Sequence, residues 1–194
     1  VIPEEKEVLL EEPPRLEEKK VIPSEVKKIP AEQVYGKAIS CVKKVLTSLE
    51  KDIFDIDSKE IEDVVSKIID KIASGDEQII MLVNKSTPDN YLYAHSVNVC
   101  ILALKLAASL GWSENKLRSL GIAALLHDSG MIYVLPLASK PSKLSPDEYE
   151  EIKKHPLYGK EILEKLDNEI EKGLKELIVT VAYEEHERVS GQGY

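Results

Sequence analysis

The stretch Gly121–Ile132, GIAALLHDSGMI, runs an apolar helix straight into an adjacent His127–Asp128 pair. Ile122, Ala123, Leu125 and Leu126 belong in a core, whereas His and Asp do not. Neighbouring side chains on a helix point to different faces, so the two polar groups can reach one point only where the helix ends and its last turn loosens. Gly130 is read as the residue that supplies this ending. The stretch is thus a core helix that delivers two polar side chains at its terminus.

Helical periodicity extends in both directions from this point. Ser113 is placed to cap the same helix, and a long helix is expected before it, from about Asn90 to Leu110, stopped by Gly111. Further upstream, Val34, Ala38, Val42, Val45, Leu46 and Leu49 form one apolar stripe. Ile61, Val64, Val65, Ile68, Ile69 and Ile72 form another, opened by Asp57 with Glu60 three residues later. Ser74-Gly75-Asp76 punctuates; EQIIMLV, residues 77–83, then makes a short helix or strand, and residues 84–90 read as a loop. Downstream, Ser145-Pro146-Asp147-Glu148 is a helix start, with Ser as cap, Pro at the first helical position and Glu closing the capping box. Pro156 forces a kink or a new start. The periodic segment Ile170, Leu174, Leu177, Ile178, Val181 leads into Glu184-Glu185-His186. No alternating β-branched run competes, so the fold class is all-α. Three units are expected: an acidic, Pro-rich arm or linker over 1–33, an N-terminal helical extension over 34–87, and the site-bearing unit over 88–194.

Composition limits the partners. A formal net charge of −9 excludes a general DNA-binding or anionic-membrane surface, since either needs a basic face. Cys41 and Cys100 sit in apolar helical patterns and read as small buried hydrophobes, which suits a reducing compartment. The apolar run VCILALKLAASL, residues 99–110, is interrupted by Lys105 and is too short to span a bilayer. The chain is therefore expected to be cytoplasmic, without a membrane span.

Only four histidines are present: His95, His127, His155 and His186. Each lies in or at the end of a helix with an apolar face. Imidazole with carboxylate is the donor set for Fe, Mn or Zn, and Cys41 and Cys100, read as buried hydrophobes, are too few for a thiolate site. The two oxygens of Asp128 would allow it to bridge two ions. Phosphate-ester hydrolysis uses such a pair, roughly 3.5–4 Å apart, to generate a nucleophile and to offset charge on the entering and leaving oxygens. The ions would also supply the positive charge that an acidic protein lacks for an anionic ester.

YLYAHSVNV (91–99), GIAALLHDSGMI (121–132), KPSKLSPDEYEEIKKHPLYGKEIL (140–163) and EEHERVSGQGY (184–194) together resemble the HD-GYP branch of the HD metal-dependent phosphohydrolases, in order and spacing. The resemblance covers about Pro88 to Tyr194, and the helices before it resemble the N-terminal extension found in bacterial members. It implies an HD-type helical bundle that holds two or three irons or manganeses. The implied activity is hydrolysis of the bacterial second messenger cyclic di-GMP, or a related cyclic dinucleotide, through a metal-bridging hydroxide. By that resemblance His95, His127, Asp128, His155 and His186 fall on metal ligands, with Asp128 the bridge. Asp89 falls on an acidic position near the reacting phosphate and is a candidate for handling a proton. Arg188 is a candidate substrate-binding residue. Gly193 and Tyr194 begin the Gly-Tyr-Pro signature, associated with ligand access and with partner domains. Implied partners are a cyclic dinucleotide and a diguanylate cyclase or other signalling protein; separately, the long amphipathic helices before Asn84 could pair two copies of the chain, the oligomeric state being open.

The chain departs from the pattern at several positions. Met131 stands where the family has a lysine, which removes a cation from where transition-state charge develops. Glu185 replaces the first imidazole of a His-His-Glu motif and is expected to ligate metal in its place. Ser190 replaces an aspartate. Tyr91 stands one helical turn before His95, where trinuclear members carry Glu, so two ions are expected. The family has a further carboxylate ligand downstream of Tyr194, so the 88–194 unit is expected to be cut short at its C-terminal end. These departures leave a second reading open: a degenerate module that binds nucleotide or a signalling partner without turnover.

Overall fold

A computed structural model describes residues 29–85, 90–166 and 170–194; the expected 1–33 arm lies almost wholly outside them. Among the described residues the structure is helical, with no strand. Within the described residues the α-helices run in the order α1 (Ala31–Glu50), α2 (Ser58–Ala73), α3 (Gln78–Met81), α4 (Tyr91–Ser109), α5 (Glu114–Leu126), α6 (Met131–Ala138), α7 (Pro146–Ile152), α8 (His155–Leu163) and α9 (Lys172–Glu184). A 3-10 turn, Leu82–Asn84, follows α3.

The helix ends follow from local chemistry. Asp57 Oδ1 accepts the Glu60 N–H at 3.0 Å and opens α2. Ser145 and Glu148 form a complete capping box at α7, with Pro146 in the first turn. Gly111, at φ +76°, ends α4 in the left-handed conformation that lacks a penalty only for glycine. Pro156 marks a new start, because α7 stops at Ile152 and α8 begins at His155.

Helices α1 and α2 pack on each other and on α4 and α5, which form the most extensive helix pair. Both apolar stripes read from the sequence are buried, and they join α4, α5, α8 and α9 in one continuous aliphatic core. The apolar stripes of α1 and α2 are thus covered within the chain. Tyr35 donates to Asn98 Oδ1 at 2.8 Å and ties α1 to α4. Helix α4 is longer than the apolar run within it, and by length and composition it could cross a membrane. Its Val97, Cys100, Ile101 and Leu104 are buried against the neighbouring helices. Leu102, Leu106 and Leu110 form an exposed stripe on its other side. Trp112 is 45% exposed, on the rim of the packing rather than in it. In the last periodic segment Ile178 is fully buried while Leu177 faces outward, so α9 presents a narrow seam to the core.

Candidate metal centre

The helix α5 ends at Leu126, and its terminal carbonyls need partners. Ser129 supplies one, its Oγ donating to Leu126 O at 2.6 Å. His127 supplies another through its ring: Nδ1 lies 2.9 Å from Ala124 O. A carbonyl only accepts, so Nδ1 carries the proton and Nε2 of the neutral ring is left with a lone pair. The end of α7 repeats the device, with His155 Nδ1 2.7 Å from Ile152 O. Two imidazoles are thus fixed by the carbonyl three residues before them, with Nε2 pointing away.

Gly130 brings these two helix ends together. It has φ −70°, so it is not the left-handed stop expected of it. A Cβ at this position would overlap the His155 carbonyl and the Gly159 backbone nitrogen. The glycine is needed for space rather than for conformational freedom, and it lets α8 lie against the turn after α5. Gly159, on the facing side of that contact, was not singled out from the sequence, although its place four residues after His155 was a signal.

Four imidazoles and two carboxylates converge as a result. Asp128 Oδ2 lies 3.4 Å from His95 Nε2 and 3.4 Å from His127 Nε2, while Oδ1 lies 3.5 Å from His155 Nε2. Glu185 Oε2 lies 3.4 Å from His127 Nε2, and Oε1 lies 3.2 Å from His155 Nε2 and 4.0 Å from His186 Nε2. His155 and His186 meet Nε2 to Nε2 at 3.1 Å. The donors form two metal-sized groups: His95, His127 and Asp128; and His155, Glu185 and His186.

The cluster carries the signs of a cation site. Glu185 Oε1 is buried and makes no hydrogen bond. Lone pairs on His127 and His155 face carboxylate oxygens, a repulsive arrangement unless a proton or a metal ion lies between them. The C-terminal ends of α5 and α9 add negative potential at the same place. Burial pulls the His155 pKa down, but the Glu185 carboxylate, the Ile152 carbonyl and Asp128 outweigh it and leave the value raised. Burial pushes His186 down, and the positive form of His155 adds to that. The residues present fit divalent metal.

Tyrosines flank the two outer histidines. The Tyr91 ring is stacked on His95, with centroids 6.1 Å apart, and Tyr194 is stacked on His186 at 4.6 Å. Glu187 Oε1 accepts the backbone N–H groups of Arg188 (2.7 Å) and Gly193 (2.8 Å), closing a turn that sets Tyr194 in place. A Cβ at Gly193 would overlap that turn. The signature glycine and tyrosine were legible in the sequence; the stacking was not. Arg188 is exposed in the same turn. Met131, at the start of α6, packs against the aliphatic core. Asp89 lies outside the described residues. Lys140 and Lys154 pair with Glu148 and Glu151, whereas Lys153 pairs with Glu150 and also lies over the Tyr194 ring, 5.5 Å from its centroid, beside His186. A cleft of about 730 Å³ lined by Glu164, Glu171, Lys175 and Val179 shares no residue with the cluster, so donor chemistry rather than cavity size locates the site.

These features define a helical protein with a paired imidazole–carboxylate centre, and the chain belongs to the HD domain family, whose model matches residues 72–194. It is 36% identical over 140 residues to a cyclic di-GMP phosphodiesterase of Pseudomonas aeruginosa, covering 72% of this chain and 33% of that protein. It is 31% identical over 150 residues to a cyclic di-GMP phosphodiesterase of Thermotoga maritima, covering 77% of this chain and 39% of the relative. A 3'3'-cGAMP-specific phosphodiesterase of Vibrio cholerae is 31% identical over 102 residues, 52% of this chain and 19% of the relative. The chain thus spans well under half the length of each of these relatives. Their names agree with the HD-GYP resemblance carried by the motifs. No solved structure matches the chain.

Proposed function

We propose that this chain carries the catalytic centre of a metal-dependent phosphodiesterase that hydrolyses cyclic di-GMP or a closely related cyclic dinucleotide. The observation that carries the reading is the division of Asp128, one oxygen toward His95 and His127 and the other toward His155. His95, His127, Asp128, His155, Glu185 and His186 would hold two ions, iron or manganese by donor type. When bound, such a pair acidifies water to a nucleophile at neutral pH and offsets charge on the entering and leaving oxygens of a phosphodiester.

The protein's own contribution is preorganisation. His127 and His155 are held by backbone carbonyls and need no reorientation, and Asp128 sits between them at the α5 terminus. His95 and His186 are the more exposed members, with side chains 39% and 36% exposed, and they mark the side from which an anionic ester approaches. Arg188 offers a guanidinium in the adjoining turn, and Asp89 is assigned to proton handling near the reacting phosphate. Support for a cyclic dinucleotide as substrate comes from the names of the relatives.

The test is incubation of anaerobically prepared protein, reloaded with Mn(II) or Fe(II), with cyclic di-GMP and 3'3'-cGAMP, followed by chromatography of linear products. Linear dinucleotide is expected from the wild type, with turnover falling at least 100-fold in His127→Ala and Asp128→Ala. Metal-loaded protein that hydrolyses neither compound would overturn the proposal. One observation favours a second reading, a module that binds nucleotide without turnover: Met131 packs against the core and offers no cation at the lysine position. Tight nucleotide binding without product would select that reading.

A further inference from the structure

We infer that Glu185 is a second bridging carboxylate, clasping the ion pair from the end of α9 as Asp128 does from the end of α5. This rests on the metal-centre reading above and concerns how the two ions are linked. A bridge needs two donor atoms facing two different groups of ligands. Asp128 meets that condition, and Glu185 meets it independently: Oε2 faces His127 of the first group, and Oε1 faces His155 and His186 of the second.

An imidazole at position 185 could not do this, because it presents one lone pair to the site and serves one ion. The replacement of imidazole by carboxylate is therefore a change of connectivity as well as of donor type. Burial supports the assignment. The Glu185 side chain is 10% exposed, and Oε1 is buried without a hydrogen bond. It also sits at the C-terminal end of a 13-residue helix, where the dipole disfavours an anion. A carboxylate placed there without a cation on each oxygen is left desolvated and uncompensated. Neither oxygen is paired with lysine or arginine among the described residues, since the ion-pair contacts of Glu185 are all to histidines.

Two bridges fix the ions more closely than one and make their magnetic interaction stronger. The test uses the whole chain, stripped with chelator and titrated with Mn(II). Equilibrium dialysis gives the stoichiometry and electron paramagnetic resonance gives the coupling. The wild type is expected to bind two ions per chain with a coupled spectrum. Glu185→Gln, which leaves one neutral oxygen, is expected to weaken the second ion on the order of 10-fold or more and to give the six-line signal of isolated Mn(II). Glu185→His, which restores a ligand to one ion only, is expected to recover stoichiometry but not wild-type coupling. Circular dichroism of the metal-free variants checks folding. Wild-type stoichiometry and coupling in both variants would overturn the inference, as would a wild type that binds fewer than two ions. Hydrolysis by the wild type together with unchanged coupling in both variants sinks the bridge and leaves the phosphodiesterase standing. A coupled pair that is lost in Glu185→Gln, in protein that hydrolyses nothing, does the reverse.

Discussion

Two histidine rings at this centre are held by carbonyls of the helices that end just before them, and one glycine sets those helix ends side by side. Gly130→Ala tests the second device. The added methyl meets backbone on both sides, the His155 carbonyl and the Gly159 nitrogen, so α8 must move away. Overpacking of this kind typically costs about 1–3 kcal/mol, with the upper end expected where both neighbours are main chain. Urea unfolding measures the loss. Mn(II) titration should show the second ion weakened, because His155 moves with α8 while His95 and His127 stay. An alanine variant with wild-type stability and two tightly bound ions would contradict the close approach. Gly130 was legible as a special position from its place after His127–Asp128. Its reason was not, because the partner atoms belong to His155 and Gly159, far along the chain.

At the scale of elements, the junction between α2 and α3 is held by a buried ion pair. Lys71 is 2% exposed, and its Nζ lies 2.8 Å from Asp76 Oδ2, while Asp76 Oδ1 accepts the Gln78 N–H at 3.1 Å. The Lys71 hydrogen bond holds the Asp76 carboxyl below its ordinary value against the opposing effect of burial, and the Gln78 N–H adds to the lowering. A depressed folded-state pKa means a stabilising contribution that is complete above the unfolded value, about 4, and is lost as pH falls through the folded value. Asp76→Asn leaves the lysine buried and uncompensated. It is expected to cost about 2 kcal/mol near neutrality, less than a fully enclosed pair because Asp76 is 24% exposed. The gap in melting temperature between wild type and variant should narrow between pH 7 and pH 3; a gap independent of pH would show that the pair does not act through charge.

Most of the elements themselves were legible. The stripes of α1 and α2 repeat every three to four residues and nothing interrupts them, and the starts of α2, α7 and α8 each carry a capping or proline signal. The α9 segment was read less well: Leu177 fits the period yet faces outward, because periodicity gives a face but not its width. Glu185 was legible as a candidate ligand, and the structure places it among the clustered donors. Its two-sided reach was not, since adjacent residues can be assigned to sides only once the helix end and the opposing rings are in place.

For the molecule as a whole, the clustered donors come from the beginning of α4, the end of α5, the start of α8 and the end of α9, so ions held there would join elements that lie far apart along the chain. Binding to the folded state alone adds stability by mass action, about 2.7 kcal/mol at a hundredfold excess over the dissociation constant. For a chain of this length that corresponds to a rise in melting temperature on the order of 5–10 °C. Differential scanning fluorimetry with and without Mn(II) measures it, and a chelator should reverse it. His127→Ala should abolish the rise. A rise that persists in that variant would place the stabilising ions elsewhere.

The uneven exposure of the four imidazoles has a kinetic consequence. His127 and His155 have side chains 9% and 4% exposed, while His95 and His186 open to solvent. Water and competing anions arrive first at the outer pair. A metal ion held in either group would be reached through its outer ring, His95 or His186, before its inner one, and Tyr91 and Tyr194, stacked on those outer rings, would slow its exit.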